Sequence, residues 1–470
     1  MNERHVKKND GSEARNNVVS AAGSGGRNDG GNGVEPAKEG QTDAVGATCT
    51  IASRGPGSTI EFQPRPVGLM RGLASLRHRD FRLFWLSQLV SLIGTWMQIL
   101  GQGWLVLEIG GSAFDLGIVS ALQFLPMLVF SLFGGLLADH YPKRFLVLGT
   151  QTSAMILAFV LAALTWTGTV TITQVMILAV LLGLVNAVDM PTRQAYVMEL
   201  VGRQDLPNAV ALNSAVFNAA RLVGPAIAGL LIGWLGLAPV FFLNGVSFLP
   251  VVVALLAMKA GSTTVADVMM EPGEIWANVR EGLVYVRRSE LVLLVVVVVT
   301  VVATFGMNFN VIAPVYARNV LDVGANGLGI LMSALGLGAL IASVLLAFLQ
   351  WEPHPKLLVG GAVLFGLLEM LLSLTANFLL AALILGAIGF AMIIVTTVAN
   401  TSLQTATPDR LRGRVMSVYT TVFVGTTPVG SLFTGYLANV AGVPAPIWVG
   451  GAMSSGVALY GWWKTVRLGD

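Results

Sequence analysis

Gly135-Leu136-Leu137-Ala138-Asp139-His140-Tyr141-Pro142-Lys143-Arg144 is a short charged turn between two apolar stretches, each long enough to cross a bilayer. Glycine lets neighbouring helices approach, Pro142 ends a regular helix, and the charges hold that end in water. The surrounding chain has the same character. Of 470 residues, 54% are hydrophobic and 11% charged, against about 25% charged in a soluble domain. Mean hydropathy is +0.74, which places the chain among polytopic all-α membrane proteins. The net charge of +3 does not point to nucleic acid, because the cations sit in loops beside apolar runs, where membrane topology accounts for them.

Apolar runs of roughly 17–25 residues fall near 83–107, 114–138, 145–166, 172–191, 208–235 and 239–258, and then near 291–316, 325–349, 357–376, 378–400, 412–440 and 446–463. Twelve transmembrane helices are therefore expected, with the division between spans nine and ten resting on Ala376-Asn377. Residues 1–70 are rich in Gly, Asn, Ser and Asp and poor in large apolar side chains; such a segment is expected to be disordered. The run from Met70 reads as a natural start for a bacterial membrane protein, so Met70 is a candidate initiator. The one cysteine, Cys49, lies in this tail, and four scattered histidines show no ligand spacing. No metal site or cofactor is expected.

With the N-terminus in the cytoplasm, all but two of the 28 Lys and Arg fall on the cytoplasmic side, the exceptions being Arg221 and Arg318. Both termini are then cytoplasmic, in the inner membrane. An internal repeat is visible as well. A shift of 212 lays Leu116-Gly117-Ile118 on Leu328-Gly329-Ile330, and a shift near 203 lays Gly224-Pro225 with Gly229 near Pro428, Gly430 and Gly435. Two pseudo-symmetric six-helix bundles follow, over 75–258 and 291–465. The connecting segment, 259–290, carries Ile275, Val279, Leu283 and Val286 on one helical face and is read as a surface helix at the membrane interface.

Few polar residues lie inside the spans. Arg221 sits about 20 Å into span five and shares a face with Ser214 and Asn218. A cation at that depth needs a cavity or a partner: substrate or proton coupling is one reading, a structural ion pair the other. Asp189, in Asp189-Met-Pro-Thr-Arg-Gln194, exchanges protons, or pairs with Arg193 or Arg221, or caps a helix begun by Pro191. Glu369 is an acid within span nine. Span one carries a neutral polar stripe, Ser91, Thr95, Gln98 and Gln102. Span seven has Thr304 and Asn308, and span ten has Thr396, Thr397 and Asn400. These residues line a path or join helices by hydrogen bonds.

The opening turn resembles the signature loop between helices 2 and 3 of the major facilitator superfamily. Gly103-Trp104-Leu-Val-Leu-Glu-Ile-Gly-Gly-Ser-Ala-Phe-Asp-Leu-Gly117, Ala211-Leu-Asn-Ser214, Ala220-Arg-Leu-Val-Gly-Pro225 and Arg412-Gly-Arg-Val-Met-Ser417 resemble its bacterial branch that includes the enterobactin exporter and macrolide-efflux relatives. The resemblance spans residues 75–465. It implies that Gly135, Asp139, Lys143 and Arg144 form a gating latch, most naturally against Arg412 or Arg414. It makes Gly224, Pro225 and Gly229 the helix-five motif of exporters, with Ala228 replacing a glycine of the fuller pattern. Helices one, four, seven and ten would line the cavity, making Ser91, Thr95, Gln98, Gln102, Asn308 and Asn400 substrate contacts, with Asn218 beside Arg221. Helix nine would be peripheral, which counts against Glu369. Span four departs from the pattern: Ile177-Leu-Ala-Val-Leu-Leu-Gly183 lacks the arginine of multidrug antiporters.

No Gly-Lys-Ser/Thr phosphate loop and no nucleophile or metal constellation occurs in the spans, so neither ATP-driven transport nor an enzyme is expected. The reading is a monomeric secondary transporter that exports a siderophore, drug or other amphipathic small molecule, coupled to the proton gradient. A small-metabolite importer and a nontransporting membrane sensor are the alternatives.

Overall fold

The computed structural model describes residues 74–258, 272–349 and 354–468, all within one compact unit. The tail assigned to 1–70, with Cys49 and Met70, lies outside the described residues, as do 259–271 of the connecting segment. Every regular element among the described residues is helical.

Local chemistry explains where the helices begin and end. Helix α1 covers Arg79–Glu108. Helix α2, Ala113–His140, starts on a capping box in which Ser112 Oγ accepts from the Asp115 amide and the Asp115 carboxylate accepts from the Ser112 amide. It ends before Pro142, and α3 follows over Lys143–Trp166. Thr171 and Gln174 form a second capping box at the start of α4, Ile172–Leu235, whose hydrogen bonding is interrupted at Pro191, Pro207 and Pro225, which have no N–H to donate. Spans four and five are two helical stretches within α4 that meet at a kink at Gly202, whose φ of +70° favours glycine. The helix passes through Pro191, so no separate helix begins there.

Span six is divided at Phe248 into α5, Leu237–Ser247, and α6, Leu249–Ala257. Helix α7, Pro272–Arg288, lies in the connecting segment. Span seven consists of α8, Glu290–Val301, a π-turn at Val302–Gly306, and α9, Phe309–Asn319. Helices α10, Ala325–Phe348, and α11, Pro355–Ser373, follow. The Asn377 side chain accepts the Leu380 amide and caps α12, Phe378–Ala406, which separates spans nine and ten where expected. Helices α13, Asp409–Ala441, and α14, Pro444–Leu468, complete the chain. Among the described residues, nine stretches are long and apolar enough to cross a membrane. One of these is α4, which holds two spans; α13 and α14, 33 and 25 residues long, bring the number to twelve.

The repeat in the sequence reappears as paired contacts between the halves. A Cβ on Gly117 would stand 2.6 Å from the Ser431 carbonyl oxygen and 3.2 Å from the Gly435 Cα. A Cβ on Gly329 would stand 2.8 Å from the Pro225 oxygen and 2.9 Å from the Gly229 Cα. In turn Gly435 faces the Ala113 oxygen and Gly229 the Ala325 oxygen. Residues 113 and 325 are separated by the same 212 positions as 117 and 329, so the two contacts are pseudo-symmetric copies. They hold α2 to α13 and α4 to α10 at the end of the molecule away from Lys143 and Arg144. The Arg318 guanidinium, donating to the Leu107 carbonyl, adds a further bond there.

Helix α7 rests on α13. Gly282 lies against the Arg414 backbone, the Tyr285 hydroxyl donates to the Ala406 carbonyl, and Glu281 pairs with Arg414. The apolar face expected of this helix is divided. Val286 is buried but Leu283 is 40% exposed, because the docking face is set by Gly282, where α13 approaches closely. Ile275 and Val279 have no described side-chain placement.

Candidate functional site

Asp189 is the best-satisfied acid within the spans. It is 3% exposed, accepts hydrogen bonds from Thr150 Oγ1 at 2.7 Å and Gln151 Nε2 at 2.9 Å, and pairs with Arg193 at 3.3 Å. Arg193 donates onward to Gln88 Oε1 at 2.9 Å. The reading of Asp189 as a helix cap is corrected: the residue lies inside α4, where its amide is already committed to the helix. Thr150 and Gln151 escaped the sequence reading. Their signal is two adjacent polar residues inside span three, with nothing local to say which neighbour they meet.

The span-one stripe is also placed differently from expectation. Ser91, Gln98 and Gln102 are buried, and together with Thr95 they border a cavity of about 80 Å³ that polar residues including Gln123, Gln151, Asn186, Asp189 and Asn244 share with apolar ones such as Leu182, Val185 and Phe248. Every wall belongs to the first six spans. The stripe therefore faces the interior of its own bundle instead of a passage between bundles. Buried amides need partners, and Gln98 finds one in Asn244 Nδ2, 2.6 Å away. The small side of the contact is Gly94, which leaves room for Asn244 and Ser247.

Other expected lining residues serve the backbone. Asn308 Nδ2 donates to the Thr304 carbonyl at 2.7 Å, and Thr304 Oγ1 to the Thr300 carbonyl at 2.6 Å; both stitch the broken part of span seven. Thr396 Oγ1 returns to the Met392 carbonyl. Asn400 accepts from Gln404 at 2.5 Å, and Asn218 donates to the Ser214 carbonyl. Asn218 and Asn400 remain half-buried.

Arg221 occupies the seam between the halves. Its guanidinium carbon lies 5.8 Å from the centre of the Trp96 ring on α1, and Nη2 lies 3.6 Å from Met392 Sδ on α12. Next to it, Gly336 of α10 packs on the Leu222 backbone and Ser333 Oγ donates to the Leu222 carbonyl. Among the described residues no carboxylate pairs with Arg221. Gly224 explains the proximity of Trp96: a Cβ there would stand 2.6 Å from the Trp96 Cβ. The helix-five motif thus divides its work, Gly224 admitting α1, and Pro225 with Gly229 admitting α10.

The turn at 135–144 pairs within its own half in this structure. Lys143 pairs with Glu199 at 2.5 Å, and Arg144 donates to the carbonyls of Leu255 and Leu256. Arg412 pairs with Asp409, and Arg414 with Glu281. Asp139 is exposed and makes no ion pair or hydrogen bond among the described residues. The expected contact of this turn with Arg412 or Arg414 is absent because the halves are joined at the opposite end. Gly135 has open space around it, whereas Gly134 packs on the Ala187 carbonyl; the close approach in this turn is one residue earlier than anticipated. Glu369 is buried among the helices of the second half, away from Asp189 and Arg221. Among the described residues no group of His, Cys, Asp and Glu could hold a metal ion.

The sequence profile of the transmembrane secretion effectors, a major facilitator family, matches residues 70–466. The chain belongs to that family. The chain is 25% identical to the staphyloferrin A transporter of Staphylococcus aureus, over 77% of this chain and 90% of that one. It is 26% identical to the multidrug efflux pump Tap of Mycolicibacterium fortuitum, over 75% and 87%. With the macrolide efflux protein A of Streptococcus pyogenes it shares 22%, over 77% and 90%. The fold matches the nucleoside transporter NupG with a TM-score of 0.67 at 9% identity, covering 82% of this chain and 98% of that one. An inward-facing bacterial homologue of the human lysosomal transporter Spinster matches with 0.63 at 12% identity, covering 82% and 94%.

Proposed function

We propose that this protein exports an amphipathic small molecule, a siderophore or a drug, by alternating access between bundles 75–258 and 291–465, with 259–290 as the cytoplasmic connection. The placement of nearly all cations supports cytoplasmic termini in the inner membrane. On that orientation the glycine contacts close the outer end and the open latch marks an inward-facing state. The protein works as a monomer, its partners being the bilayer, the proton gradient and the cargo.

The observation that carries this reading is Arg221. An arginine deep in a membrane helix, set between an indole ring and a thioether at the meeting of the two halves, offers unused donors beside apolar surface. That pairing suits a molecule with a polar or anionic group on an apolar body. Asp189 with Arg193 is the proton-exchanging pair, reached through the cavity behind span one.

Accumulation of siderophores and lipophilic drugs in cells with and without the gene tests the proposal. Wild type should lower accumulation of at least one compound. Arg221→Ala should abolish that effect at equal expression, whereas Arg221→Lys should keep part of it. Proteoliposome flux under an imposed proton gradient fixes direction; uptake with the gradient would make the protein an importer, and no flux of any compound would favour a sensor.

A further inference from the structure

Glu369 is a buried acid that the substrate path does not use. The side chain is 2% exposed, and its Oε2 is buried without a hydrogen-bond partner. The space it occupies is made by two glycines on different helices. A Cβ on Gly306 would stand 2.9 Å from Oε2, and one on Gly450 would stand 3.4 Å from it. Gly306 closes the π-turn that breaks span seven, and π-turns inside helices recur at functional positions. Phe365, one turn before Glu369, packs edge-on against Phe309 at the start of α9, so the acid sits directly behind the break.

The groups around it offer no compensating charge. From α9 the titratable neighbour is Tyr316, whose hydroxyl is given to the Leu372 and Thr375 carbonyls. Arg318, at the far end of α9, is given to the Leu107 carbonyl. Helix α12 contains no ionisable residue, and α8 contributes only Glu290 at its other end. On α14, Tyr460 is exposed, and Lys464 and Arg467 lie toward its far end. An isolated carboxylate in such a place is expensive, and the neutral acid is the form that fits.

The segment beyond the break does the closing. Helix α9 presents Pro314 to Gly103 of α1 and Arg318 to the end of the same helix. Glu369 lies about 6 Å from the outer end of α11, on the same side. We propose that Glu369 is a proton-binding site in the outer half of the second bundle, and that the bound proton holds α9 in the position that seals the outer end. Loss of the proton places a charge between Gly306 and Gly450, and the charge is relieved only when the helices part and water enters. External acid therefore favours the sealed form and external alkali the outward-open one. This rests on the alternating-access reading, but not on any substrate.

The test is a distance measurement on the full chain with Cys49→Ala and spin labels at Thr169 and Ala376, both exposed on outer turns. Wild type should show a short and a long distance. Their ratio should move toward the long one as pH rises, by at most about tenfold per pH unit for one proton. Glu369→Gln should keep the short distance at every pH, and so should Glu369→Met, which guards against a folding defect in the amide variant. A wild-type ratio that ignores pH, or a wild-type pH response in either variant, overturns the proposal. A single distance for wild type under all conditions, with and without transported compounds, would instead sink alternating access itself.

Discussion

Gly329 faces Gly229 across the two halves so closely that a Cβ on the first would stand 2.9 Å from the Cα of the second. The same geometry recurs between Gly117 and Gly435. In a bilayer, helices gain little from hiding apolar surface, and close backbone approach is what joins them. Two glycine pairs related by the internal repeat therefore join the halves at the end away from Lys143 and Arg144.

Gly229→Val should weaken that closure. Overpacking of a tight contact costs about 1–3 kcal/mol, equivalent to roughly a 5- to 150-fold shift in an equilibrium. Export should fall at normal expression, and the outer spin-label distances should lengthen. Gly360→Val, at a position with open space around it, is the control and should leave both unchanged.

Asp189 and Arg193 should behave as one unit. Removing one partner of a buried pair costs about 3–5 kcal/mol, discounted here because Arg193 remains partly exposed. Asp189→Ala should lower the melting temperature in detergent more than Asp189→Asn, which keeps part of the bonding with Thr150 and Gln151. The double variant Asp189→Asn/Arg193→Gln should be less than additive. Proton-driven flux should be lost in Asp189→Asn even where folding is retained.

The latch should form in the opposite state. Asp139→Cys with Arg414→Cys, in a Cys49→Ala background, should cross-link poorly while the outer end is sealed. Gly229→Val, which opens that end, should raise cross-linking severalfold. Equal cross-linking in both backgrounds would remove the turn from the gate.

Just after the kink at Gly202, Asp205 holds the turn before α1 through His78 at 2.9 Å and Arg77 at 3.1 Å. The His78 hydrogen bond, followed by Arg77, lowers its pKa below the ordinary 3.8. A lowered folded-state value means the docking contribution is complete above the unfolded value and fades as pH falls through the folded one. Hydrogen exchange at Ser75–His78 should therefore stay slow at neutral pH and quicken only below about pH 4. In Asp205→Asn the exchange should be faster at neutral pH and insensitive to this acid step.

Much of the architecture was legible because span formation in lipid is a local matter. A run of twenty apolar residues must satisfy its own backbone, and only a helix does so. The repeat aligned Gly117 with Gly329, and in the structure each of the two packs on the other half. Asn377 marked a true helix start, since its side chain could cap what followed.

The sequence by itself determined the twelve spans, the two-fold repeat and the rare ionisable groups within the membrane. Only the tertiary structure decided how each helix is turned about its own axis. Lipid is uniform around a helix, so rotation is set by neighbours distant in the chain. That is why the Ser91–Gln102 stripe faced inward to Asn244, why Asp189 found Thr150 and Gln151, and why Gly134 made the contact expected of Gly135. It is also why Glu369, an acid with no visible partner in the sequence, came to lie behind the break in span seven.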